Sequence, residues 1–191
     1  MRGYATEGVK KLAFPSAFCY NKPMDKNNIT LIGMPGCGKS TVGVLLAKAL
    51  NLQFTDTDLL IQRKYGKFLW QLIDEQGAEA FKRMEAGVIL SLDCEGTCIA
   101  TGGSVVYSGE AMQHLNKISR IVFIDLPCEE IERRVADIRG RGVVIDRGKT
   151  LPALCAERRP LYLRYADMVI DARGMGVEEL LEEIVKMTKG F

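Results

Sequence analysis

The chain has 191 residues, long enough for one domain with a substantial core. Its 47% hydrophobic and 26% charged residues are ordinary globular values and argue against general disorder. A formal net charge of +2 does not suit a nonspecific nucleic-acid binder, and no apolar run approaches the roughly 20 residues that span a bilayer.

Residues 1–27 mix Lys10, Lys11, Lys22 and Lys26 with Phe14, Phe18 and Tyr20, without a sustained period or a signal-peptide core. They read as a flexible N-terminal extension with no catalytic role. A weak targeting segment, or upstream sequence before an initiator at Met24, are the alternatives. From residue 28 onward short apolar runs alternate with amphipathic stretches. A buried strand is predicted at 29–32, then a helix at 40–50 with Val42, Leu45, Leu46 and Ala49 on one face. A second strand is expected at 52–55, followed by helices at 58–65, 67–74 and 78–92. The third strand, 97–100, runs into Gly102-Gly103. A short helix at 111–116 precedes the fourth strand at 120–125 and a helix at 128–136. The Gly- and Arg-rich stretch 139–149 reads as an exposed loop. A helix at 150–165 tolerates Pro152 in its first turn, and a fifth strand at 167–171 and a helix at 177–188 close the chain. Strands separated by helices imply an α/β fold whose parallel sheet is covered on both faces, in one domain over 28–191.

Six cysteines are scattered through the chain, with no C-x-x-C pair, and the lone His114 has no zinc-site spacing to them. They read as small buried or half-buried thiols in a reducing cytoplasm.

Gly33-Met34-Pro35-Gly36-Cys37-Gly38-Lys39-Ser40 matches G-x-x-x-x-G-K-[ST] between a predicted strand and a predicted helix. Glycines let successive backbone N–H groups turn inward around phosphate oxygens, and the helix N-terminus adds its positive dipole end. Nucleotide contacts are therefore expected at Gly36, Cys37, Gly38, Lys39, Ser40 and Thr41. Lys39 should reach the β- and γ-phosphates of ATP, and the Ser40 hydroxyl should ligate Mg²⁺. A plain Gly-rich turn is the alternative, and a chance match in this context is rare. Asp56-Thr57-Asp58 follows the second strand. One carboxylate can hold Mg²⁺ while the other accepts a hydrogen bond from an attacking hydroxyl, although either could simply cap the next helix.

Together with Phe81–Glu85, Thr101-Gly102-Gly103 and Glu157-Arg158-Arg159-Pro160-Leu161-Tyr162, these motifs resemble the series found in shikimate kinases, collinear from residue 29 to the C-terminus. The resemblance implies a three-layer P-loop fold with a five-stranded parallel sheet in the order 2-3-1-4-5, a mobile lid at about 139–149, and a monomer. It also implies transfer of the ATP γ-phosphate to the 3-hydroxyl of shikimate. It assigns Asp56 to Mg²⁺, Asp58 to the substrate hydroxyls and the base role, and Gly102 and Gly103 to the turn that the substrate approaches. Arg158 is assigned to the substrate carboxylate, Arg134 to the adenine, and Arg141 to a lid arginine that meets the γ-phosphate. A solvated connection is the alternative for the lid segment.

Three positions depart from the family pattern. Lys82 stands where an arginine is usual at the substrate, and it cannot make a planar bidentate clamp. Ser104 replaces the third glycine, and Arg141-Gly142-Val143-Val144 lacks the usual proline. All three lie on the acceptor or lid side. A kinase for another small hydroxylated acid, such as homoserine or gluconate, and a nucleotide-binding regulatory protein therefore stand as alternatives.

Overall fold

The computed structural model describes residues 27–134 and 150–188. Nearly all of the expected N-terminal extension and the whole 139–149 lid lie outside them. In chain order the elements are β1 (Asn28–Ile32), α1 (Lys39–Leu50), β2 (Gln53–Asp56), α2 (Thr57–Tyr65), α3 (Leu69–Gln76), α4 (Ala78–Leu90) and β3 (Thr97–Ala100). A 3-10 turn (Val105–Tyr107) comes next, then α5 (Gly109–Ile118), β4 (Ser119–Asp125), α6 (Cys128–Arg134), α7 (Leu151–Tyr165), β5 (Met168–Asp171) and α8 (Val177–Thr188).

The strands form one parallel sheet in the order β2-β3-β1-β4-β5. β1 lies at its centre and is buried along its whole length, its polar Asn28 and Thr30 included. A polar bolt ties the lower ends of the central strands together. The buried Asn28 amide donates to the Cys94 and Ile118 carbonyls at 2.6 and 2.9 Å and accepts from Thr97 N–H at 2.9 Å. With all three bonds made, burial of this amide costs little. The main core gathers both faces of the sheet, including Leu31, Leu46, Ile99, Ile121 and Ile184. Ile61, Leu69, Leu72, Phe81 and Val88 form a second, smaller core among α2, α3 and α4.

Element limits follow from capping. Asp56 caps α2 by accepting from Asp58 N–H, and Gly66 closes that helix with a positive φ of 66°. α4 ends at Leu90, two residues before the predicted limit, where Ser91 and Leu92 N–H switch to carbonyls three residues back. α5 starts at Gly109, earlier than expected, because the Ser108 hydroxyl caps it through Ala111 N–H at 3.2 Å. The 3-10 turn at Val105–Tyr107 has no apolar period of its own and was not predicted.

β1 and β3 are neighbours, and the connection from β1 to β2 leaves toward one half of the sheet while that from β3 to β4 leaves toward the other. A crevice opens at such a switch point. The Gly33–Ser40 loop, the end of β2 and the turn after β3 all meet there.

Candidate active site

The loop after β1 wraps around its own lysine. Lys39 is buried, and its ammonium donates to the Gly33 and Met34 carbonyls at 2.8 and 2.9 Å, with Cys37 Sγ at 3.7 Å. Gly38 precedes α1 with φ of 103°, a conformation that L side chains rarely adopt. The Cys37 thiol is buried in the main core and its N–H bonds to the Met34 carbonyl at 3.2 Å, so this residue holds the loop's shape from within.

Asp56 performs both tasks that its position allows. Oδ1 accepts from Asp58 N–H at 2.9 Å, and Oδ2 accepts from the Ser40 hydroxyl at 2.7 Å. The Ser40 and Asp56 oxygens thus form a pair at the mouth of the phosphate loop. Hard oxygen donors, few in number, suit Mg²⁺, which keeps several waters and takes its remaining ligands from phosphates. The next carboxylate, Asp58, is half-buried. Burial, with Asp56 adding to it and Lys39 opposing, raises its pKa to about 6.

Deeper still lies Glu85. It is 1% exposed, its Oε2 accepts from the Ser104 hydroxyl at 2.5 Å, and its Oε1 has no hydrogen-bond partner among the described residues. Burial is the main cause that pushes its carboxyl up to about 8. The Ser104 bond pulls the other way, Asp58 adds to the rise, and Arg158 and Lys39 oppose it. Glu85 therefore holds a proton at neutral pH.

The turn after β3 fits between these acids. A Cβ on Gly102 would lie 2.1 Å from Glu85 Oε1 and 2.8 Å from Asp58 Oδ1, and one on Gly103 would lie 2.7 Å from Pro35 Cδ. Gly102 N–H bonds to the buried Thr57 hydroxyl at 3.2 Å. Tyr162 closes the turn from α7: its hydroxyl donates to the Gly103 carbonyl at 2.6 Å and its ring stacks on Phe123 at 5.0 Å. One helical turn earlier, Arg158 is 1% exposed, and its Nε donates to Tyr107 Oη at 3.2 Å.

One cavity of about 400 Å³ joins these parts. Gly36, Gly38, Lys39, Ser40, Thr41 and Arg134 line it on the phosphate-loop side, and Asp58, Gly102, Gly103 and Arg158 on the other. Cys37, Asp56 and Lys82 stand outside its lining. Lys82 pairs with Glu79 at 2.7 Å and lies over the Tyr107 ring at 4.5 Å. Arg141 falls outside the described residues. Glu85 and Ser104, given no role from sequence, also line the cavity, while Tyr107 and Tyr162 brace Arg158 and the Gly103 carbonyl from outside the lining. For Glu85 a signal exists: it lies four residues after Phe81, so both point to the same side of α4, and Phe81 is core. A cavity with a cationic, N–H-rich loop at one end, a carboxylate midway and a buried guanidinium at the other suits phosphoryl transfer to an anionic acceptor.

The family model "Shikimate kinase" matches residues 35–189. The chain belongs to the shikimate kinase family. A shikimate kinase of Clostridium botulinum is 35% identical over 163 residues, which cover 85% of this chain and 97% of the relative. One from Francisella tularensis subsp. novicida is 35% identical over 82% of this chain and 92% of its own. Among solved structures, the family member from Acinetobacter baumannii in complex with shikimate superposes with a TM-score of 0.78 at 27% identity, covering 85% of this chain and 93% of that one. The shikimate kinase of Aquifex aeolicus gives 0.74 at 32% identity, covering 85% and 96%. The expected sheet order is the family's, and this member is an ATP-dependent kinase. Among the described residues, no helix is long and apolar enough to cross a membrane.

Proposed function

We infer that this enzyme transfers the γ-phosphoryl group of ATP to the 3-hydroxyl of shikimate. The observation that carries the acceptor is Arg158, a buried guanidinium that lines the same cavity as Asp58 and Lys39. A fixed cation on that wall suits a carboxylate, and Asp58 lies between it and the phosphate loop to receive a hydroxyl.

In this reading the backbone N–H groups around Gly36 and Gly38 and the Lys39 ammonium hold the β- and γ-phosphates, the ammonium exchanging loop carbonyls for phosphate oxygens. Ser40 and Asp56 hold Mg²⁺, which supplies neutralising charge to the phosphates when bound. Asp58, ionised above about pH 6, orients the hydroxyl and takes its proton. Arg134 lies at the nucleotide end, and Arg141 of the 139–149 lid meets the transferring group as water is excluded. The reading extends to a monomer in the cytoplasm, and the free thiols of Cys37, Cys94, Cys98, Cys128 and Cys155 suit a reducing compartment.

The test is ADP release from Mg²⁺-ATP with shikimate, homoserine and gluconate offered in parallel. Saturable turnover with shikimate alone is expected, and Lys39→Ala or Asp58→Ala should lower kcat by roughly 10²- to 10⁴-fold. Turnover with another acceptor and none with shikimate would reassign the pocket around Arg158 and Glu85.

A further inference from the structure

The side chain of Tyr107 carries two cations. Lys82 Nζ lies 4.5 Å from its ring centroid and Arg158 Cζ lies 5.1 Å from it. Its hydroxyl accepts from Arg158 Nε at 3.2 Å and, with its own proton, donates to Glu157 Oε1 at 2.7 Å. The three groups form a directed chain, guanidinium to hydroxyl to carboxylate, in which each bond polarises the next. Tyr107 itself is half-buried in the 3-10 turn that comes after Gly102-Gly103-Ser104, and it is not among the residues lining the cavity.

This arrangement has a directional consequence. Tyr107 occupies the Nε edge of Arg158, which orients the plane of a guanidinium that lines the cavity. A Cβ on Gly103 would lie 3.2 Å from Arg158 Nη1, so this terminal nitrogen stands beside the acceptor turn. Two like charges on one ring repel each other. Glu79 and Glu157 offset them from outside, through Lys82 and the Tyr107 hydroxyl. An anion entering the cavity does so from inside. Lys82 lies outside the cavity lining, so its charge reaches that anion only as a field, and the Tyr107 ring shares with Glu79 in holding it there.

We propose that Tyr107 is a positioning residue for acceptor recognition, orienting Arg158 toward the acceptor carboxylate through its hydroxyl and holding the Lys82 charge beside it through its ring. The proposal rests on the reading of a carboxylate acceptor at Arg158. It also explains how this chain manages with lysine at residue 82, a point charge on a flexible stem that needs a surface to rest on.

The experiment is steady-state kinetics with shikimate on the wild-type chain, Tyr107→Phe, Lys82→Met, Tyr107→Leu and the double variant of the last two, with melting temperatures recorded for each. Tyr107→Phe keeps the ring and loses the oriented bond. The shikimate KM is expected to rise about tenfold, with kcat within about twofold and the ATP KM unchanged. Lys82→Met should raise the shikimate KM about threefold. In the Tyr107→Leu background, where the ring is gone and only side chains such as Glu79 hold Lys82, the same change should have a clearly smaller effect, and an undiminished threefold effect there overturns the ring's part in the proposal. An unchanged shikimate KM in Tyr107→Phe overturns the proposal. So does a parallel loss in kcat and both KM values that tracks a lowered melting temperature, which would mark Tyr107 as packing only. Wild-type turnover of shikimate with an indifferent Tyr107→Phe sinks this proposal alone, whereas no wild-type turnover of shikimate sinks the acceptor reading with it.

Discussion

Glu85 is the residue at which physical chemistry departs furthest from what the chain's letters suggest. A glutamate on an amphipathic helix is ordinarily solvated, yet this one is buried, with one oxygen on Ser104 and the other without a hydrogen-bond partner among the described residues. Its ordinary pKa of 4.5 is raised to about 8, so between those values the folded protein binds a proton that the unfolded chain releases. Stability therefore falls as pH rises from about 4.5 to 8, and Asp58, raised from 3.8 to about 6, acts in the same direction over its lower window. Glu85→Gln keeps an acceptor for Ser104 and has no proton to lose. Thermal melts from pH 5 to 8.5 should show a flatter profile for the variant, with a melting temperature at or above wild type at the alkaline end. A wild-type decline as shallow as the variant's would mean that Glu85 ionises near its ordinary pKa. At this scale Lys39, Ser40, Asp56 and Asp58 were legible because a motif fixes their spacing. Ser104 was visible only as a departure from glycine, since its partner lies 19 residues away and the bond depends on how α4 packs.

At the scale of elements, the site is assembled from the segments just beyond the carboxyl ends of three neighbouring strands. Capping supplies much of the precision: Asp56 starts α2 and reaches Ser40 with the same carboxylate. Strands and long helices could be read from apolar runs and periodicity, with limits displaced by a residue or two where a cap intervened. The 3-10 turn that carries Tyr107 could not, because three residues hold no period. Among the described glycines the closest approach is at the turn after β3, where a methyl on Gly102 would overlap Glu85 Oε1 at 2.1 Å. Gly102→Ala must displace the Glu85 and Asp58 carboxyls or the turn itself, a shift of the kind that costs about 1–3 kcal/mol of stability and roughly 10²-fold in turnover. Kinetics and melting of this variant should show both losses. Retained kcat/KM for shikimate would place the acceptor away from this turn.

At the scale of the whole molecule, the parallel sheet covered on both faces follows from the alternation of strands and helices alone. The strand order does not: it depends on which neighbours β1 takes, a matter of long-range packing, and was expected only through resemblance to a family. The two cores divide the labour. The larger one, built on the sheet, holds the phosphate loop and Arg158, while the smaller one among α2, α3 and α4 carries Phe81 and seats Glu85 beside Asp58. Joined in one cavity, these parts move phosphate from ATP to one hydroxyl of shikimate. Phosphorus NMR of the product, formed from Mg²⁺-ATP and shikimate, shows where the phosphate goes. A single phosphoester resonance coupled to the proton on carbon 3 is the predicted result. Inorganic phosphate without an ester, or an ester on another hydroxyl, would contradict it.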